Sequence, residues 1–83
     1  MRGWKKVQVK MSKALVCDVV NGVYNQHPYC QALVYEKGKL YRMSIKDDLI
    51  QDKVADKVGC YACITADMTT FDNKVKFALS NIE

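Results

Sequence analysis

The sequence has little of what breaks or punctuates a chain: one proline and four glycines in 83 residues, with no repeat and no low-complexity stretch. It also has one histidine. A Ser-His-Asp or Cys-His arrangement would have to be built on His27, which reads as a loop residue beside Pro28. No glycine-rich phosphate loop and no metal-binding run of acids is present. The pair Asp47-Asp48 reads as a helix cap, not as an acid–base couple. These absences argue against an enzyme. No apolar run approaches the roughly 18 residues of a membrane span, so no membrane partner is expected. Behind the basic start, Met1 to Lys6, there is no apolar stretch of the kind a secretory signal carries, which predicts a cytoplasmic location.

Four cysteines are present. Cys60-Tyr61-Ala62-Cys63 has C-x-x-C spacing, but Cys17 and Cys30 supply no second pair. A reducing compartment disfavours disulfides. If the segment is a strand, residues three apart turn to opposite faces and cannot share a metal. Reduced, buried cysteine acting as a small hydrophobe is expected, with no metal and no cofactor. A zinc site that also uses His27 is the alternative.

The composition is that of a globular chain: 49% hydrophobic and 27% charged. A domain this small buries only roughly 60% of its unfolded surface, so dimerisation or ligand binding would help it. The net charge of +4 is unevenly spread. Residues 1–46 carry nine Lys/Arg against Asp18 and Glu36, a balance of +7, and residues 47–83 carry the remaining −3. A basic half points to an anionic partner; a solvated lysine-rich surface is the plainer reading.

Most of the hydrophobic pattern has period two, the strand signal. Val7, Val9 and Met11 alternate with polar residues, and the alternation resumes at Leu15. This predicts one long strand over about 5–20, bent by a bulge near Ser12-Lys13. Asn21-Gly22 reads as a turn, and Asn25 to Pro28 as a second irregular stretch. Tyr29–Glu36 reads as a strand, Lys37-Gly38 as a tight hairpin, and Leu40–Lys46 as the returning strand. From Asp47, Leu49, Ile50, Val54 and Val58 recur at helical spacing, predicting a short helix whose apolar stripe plugs the core. Gly59–Thr65 reads as the fourth strand, 66–73 as a loop, and Lys74–Ile82 as the fifth. Val75, Phe77 and Leu79 of that last strand are expected to face inward. The order is long strand, strand, strand, short helix, strand, strand. It predicts an all-β fold with one short helix: a single five-stranded OB-type barrel over 1–83, with 1–4 as a flexible extension.

Binding is better supported than chemistry. The second and third strands would carry Tyr29, Tyr35, Tyr41 and Arg42, with Tyr24 just ahead of them. OB barrels use these strands, and the loop joining the first two, for oligonucleotides. Exposed rings would stack bases while Lys and Arg track phosphates. The alternative for each tyrosine is a core residue with its hydroxyl at the rim.

Asn21-Gly22-Val23-Tyr24-Asn25-Gln26-His27-Pro28-Tyr29, followed by Leu33 and Tyr35, resembles the DNA-binding wing of filamentous-phage gene-five-type single-stranded DNA-binding proteins. Gly59-Cys60-Tyr61, the loop ending in Phe71 and the closing strand resemble the second half of that family. The resemblance implies an OB-fold homodimer that coats single-stranded DNA cooperatively during DNA replication, encoded by a phage or mobile element and working in a bacterial host cell. It further implies that Tyr29 and Phe71 stack on bases and that Tyr35 lines the channel. The wing tip lacks the basic residues usual in the family, so Lys10, Lys39, Arg42 and Lys46 are expected to supply the positive charge from the strands. RNA is a possible ligand. The competing reading is a small protein-interaction module, such as a phage-encoded inhibitor of a host factor, with the tyrosines as interface anchors.

Overall fold

The computed structural model describes residues 5–83. The extension expected over 1–4 lies outside the described residues. Five strands, β1 (Lys5–Tyr24), β2 (His27–Glu36), β3 (Lys39–Ser44), β4 (Tyr61–Phe71) and β5 (Lys74–Ile82), and one helix, α1 (Asp48–Asp56), follow one another along the chain. The strands close into a barrel in the order β1-β2-β3-β5-β4. All neighbours are antiparallel except β3 and β5, which meet in parallel through Met43↔Phe77 and Ser44↔Ala78. This is the OB-type barrel expected from the order of elements.

The 20-residue β1 serves both halves of the barrel, pairing with β4 through its N-terminal part and with β2 through its C-terminal part. It manages this with two irregularities. Its register against β4 shifts between Met11 and Ala14, and against β2 between Val16 and Asp18. Ser12 and Lys13 thus form the bulge expected there. Each extra residue resets the alternation, so Met11, Ala14 and Val16 are buried and Val19 packs against them. A bulge bends the strand and increases its twist, which lets one strand turn the corner of a barrel.

The hairpins explain two departures from the sequence reading. Asn21-Gly22 is not a turn: β1 runs on to Tyr24, which pairs with His27, and the chain reverses at Asn25 and Gln26 (φ 50° and 67°). Likewise 66–73 is not a loop, because β4 continues to Phe71 and reverses at Asp72 and Asn73 (φ 53° and 65°). Lys37-Gly38 makes the third such reversal (φ 50° and 80°). Two successive positive φ values suit the two-residue turn whose twist matches that of the strands.

The core is aliphatic. Met43, Ile64, Ile82, Val16, Val34 and Val54 are the largest fully buried side chains, each contributing roughly 1.5–3 kcal/mol by leaving water. Small residues face large ones across the ladder, Ala32 opposite Met43 and Ala66 opposite Leu79, which suits a narrow interior filled by side chains. No polar or charged side chain is buried among the described residues. Tyr41 and Phe77 meet edge to face at 5.2 Å at the border of this core.

The helix is capped by Asp47, whose Oδ1 accepts from the Leu49 N–H at 2.8 Å. Asp48 in its first turn and Lys53 in its last suit the helix dipole. Its stripe is narrower than the spacing implied. Val54 is fully buried and Ile50 packs on the core, but Leu49 is 72% exposed and Val58 is exposed too. Val75 is also exposed, correcting its expected inward place, whereas Leu79 is buried. No helix is long and apolar enough to cross a membrane among the described residues.

Candidate nucleic-acid interface

Strand alternation divides the outer surface of the barrel. Cys30, Ala32 and Val34 of β2 and Met43 of β3 point inward. The intervening residues therefore share the outer face: Tyr29, Gln31, Leu33 and Tyr35 from β2, with Leu40 and Arg42 from β3. Register places Arg42 opposite Leu33 and Leu40 opposite Tyr35. On β1, Gly22 stands opposite Tyr29 and Tyr24 opposite His27. Tyr24 is 72% exposed, Tyr29 41% and Tyr35 46%. The question left open by the sequence is thereby answered: of the five tyrosines, Tyr41 alone packs on the core cluster, and Tyr24, Tyr29, Tyr35 and Tyr61 are exposed.

Tyr24, Tyr29 and Arg42 come together. With Asn25, His27, Pro28 and Gln31 they line a depression of about 470 Å³ at the β1–β2 hairpin. Arg42 Nη1 donates to Gln31 Oε1 at 3.3 Å, which steadies the guanidinium beside the depression. Gly22 has a steric role in place of the turn expected of it. A Cβ built there would stand 2.5 Å from Tyr29 Cζ, so the missing side chain lets the Tyr29 ring lie against the β1 backbone. Pro28 belongs to β2 and not to the irregular stretch read over 25–28: it sits second in the strand, opposite Val23, at a beginning where a residue without an N–H is tolerated.

The remaining candidates lie elsewhere. Lys46 follows β3 and lines a second depression of about 490 Å³ with Tyr29, Asn21, Gln51 and Cys30. Lys39 opposes Glu36 at the β2–β3 hairpin, its Nζ 6.0 Å from the Tyr41 ring centre. Lys10 opposes Thr65, on the outer face formed by β1, β4 and β5. Phe71 is on that same face at the end of β4, opposite Lys74, and shares a shallow recess with Thr69, Lys74 and Lys76. Lys6 joins them opposite Thr69 and pairs with Asp67 at 3.9 Å. The eight candidate residues are thus split between two faces and their rims.

Two features escape the sequence reading. Lys74 and Lys76 belong beside Phe71, a grouping hidden because 66–73 reads as a loop. Tyr61 is 62% exposed, with Lys13 Nζ 5.7 Å from its ring centre. The buried alternation Ala62, Ile64, Ala66 marks Tyr61 as outward-facing; Lys13 could be placed only with the bulge in hand.

Cys30 is the one buried cysteine among the described residues. Burial, then the nearby Asp48 carboxylate, pushes its thiol above the ordinary range, which keeps it protonated at neutral pH. Cys17 and Cys60 are exposed and Cys63 half-buried, which corrects the expectation that all four act as core hydrophobes. No group of three or more His, Cys, Asp or Glu side chains comes together to hold a metal among the described residues. The chain matches no protein-family model, no curated protein and no solved structure.

Proposed function

We propose that the protein binds single-stranded DNA without strong sequence preference, along the outer face of β1, β2 and β3. The observation that carries this reading is the set of exposed rings, Tyr24, Tyr29 and Tyr35, on that face with Arg42 among them. An aromatic ring exposed on a rigid sheet offers a base a stacking surface, worth roughly 1–3 kcal/mol per base whatever the sequence. Lysines and Arg42 neutralise phosphates, releasing counterions, so affinity falls with salt. The mechanism is stoichiometric and needs no cofactor or catalysis. Single-stranded RNA offers the same chemistry and competes in the test.

Titrating the protein into fluorescein-labelled oligothymidylate at several salt concentrations tests this, with duplex DNA and RNA of matched length as competitors. Salt-sensitive binding that favours single strands is expected. Absence of binding at low salt refutes it.

A second reading, a protein-interaction module, is favoured by one observation. A groove of about 600 Å³ runs between the β2–β3 and β4–β5 hairpins, lined mainly by apolar side chains, Leu40, Met68, Val75 and Phe77 among them, together with Glu36, Lys39 and Arg42. As part of the DNA-binding reading we assign this groove to a second copy of the chain, giving a homodimer whose two outer faces bind together. Sedimentation at micromolar concentration should show the dimer; a monomer there removes the second copy.

A further inference from the structure

We infer that Tyr61 and Lys13 carry the single-strand site across β1, from the tyrosine-bearing face onto the face that holds Lys10. The inference rests on the nucleic-acid reading above and adds a route to it. Leu15 is the link: it stands opposite Tyr35 on β2 and opposite Tyr61 on β4. Its neighbours Ala14 and Val16 are fully buried, so Leu15 and the two tyrosines share the outer surface. Neighbouring strands lie about 4.8 Å apart, which puts the Tyr35 and Tyr61 backbones about 10 Å apart across Leu15.

Lys13 owes its place to the β1 bulge, which takes Ser12 and Lys13 out of the ladder and leaves both exposed. Its ammonium rests 5.7 Å from the Tyr61 ring centre. The ammonium covers one face of the ring, so a nucleotide's base stacks on the opposite face while its phosphate meets the ammonium at the ring's rim. That charge complementarity selects a polyanion over an apolar peptide as the occupant. Beyond Tyr61, the outward positions of β4 lead to Thr65, opposite Lys10, so a strand crossing at Leu15 reaches the next lysine without leaving the sheet.

Binding of an oligothymidylate length series by the wild type, Tyr61→Ala, Lys13→Ala and Tyr61→Phe tests the route. Tyr61→Ala should weaken binding roughly 5- to 100-fold for oligomers long enough to cross β1, and leave the shortest ones unaffected. Lys13→Ala should lower the slope of log affinity against log salt by about 0.7. Tyr61→Phe keeps the ring and should bind as the wild type does. Both positions are exposed, and thermal melts will show whether each variant folds. If the wild type binds and Tyr35→Ala weakens it, but Tyr61→Ala and Lys13→Ala match the wild type at every length, the site ends at Tyr35 and the inference fails alone. If the wild type binds no oligothymidylate at low salt, the nucleic-acid reading fails with it.

Discussion

The two outer faces of the barrel differ in kind. The face of β1, β2 and β3 carries rings, with Arg42 set against Asp18, which stands opposite Leu33. The face of β1, β4 and β5 carries Lys6, Lys10, Lys74 and Lys76 against Asp67, with Phe71 as its ring. Along the chain the positive charge belongs to the first half, yet in the fold it sorts by face. Strand pairing brings Lys76 from the acidic half level with Lys6, each opposite Thr69, on the face that also holds Lys10 and Lys74. Four of the seven acids of that half, Asp47, Asp48, Asp52 and Asp56, are gathered on or next to α1 instead. Net charge read from halves of a sequence therefore says little about the field a ligand meets. On the proposed function stacking belongs to the first face; Arg42 neutralises phosphate there, and the lysines of the second face do so once the strand crosses β1 at Leu15.

That separation can be broken in order of expected effect. Replacing Tyr29 and Tyr35 together by Ala should cost about 2–6 kcal/mol of binding, from two stacked bases, with the salt slope unchanged by anisotropy titration. Reversing charge with Arg42→Glu and Lys46→Glu should weaken oligonucleotide binding at low salt while circular dichroism shows a folded protein; unchanged affinity would move the phosphate contacts of that face elsewhere. Gly22→Ala should displace the Tyr29 ring and lose up to about 1–3 kcal/mol of stacking. Added to Tyr29→Ala it should cost nothing more in binding, since both changes act through one ring. The smallest effect concerns the turn below the rings. Gln26 adopts φ 67°, so Gln26→Gly should raise stability by roughly 0.5–1 kcal/mol in a denaturant melt and leave affinity alone.

Much of the fold is legible because period-two alternation survives in β2, β3 and β5 and a capping Asp47 marks the helix. The closure of the barrel follows from that order of elements. The β1–β2 hairpin misleads because Asn-Gly is a strong turn signal, and nothing local shows that Gly22 is a glycine to admit the Tyr29 ring. The stretch from Ala66 to Phe71 misleads because Thr and Asp flanking Met68 imitate a loop; only pairing with β5 makes them a strand. The stripe of α1 overstates burial, since Leu49 lies at the edge of what a nine-residue helix can cover. For the site, outward tyrosines follow from parity on β2. Which lysines share a face depends on the register of β1 across its bulges, which no local pattern fixes.

The most direct test of the separation is the salt dependence of oligothymidylate affinity for three proteins: the wild type, Tyr29→Ala/Tyr35→Ala and Lys10→Ala/Lys76→Ala. Separation predicts that the tyrosine variant binds more weakly with the wild-type slope. It also predicts that the lysine variant's slope falls by about 1.4, roughly 0.7 for each phosphate no longer neutralised. A lysine variant with the wild-type slope, or a tyrosine variant with the wild-type affinity, would contradict it.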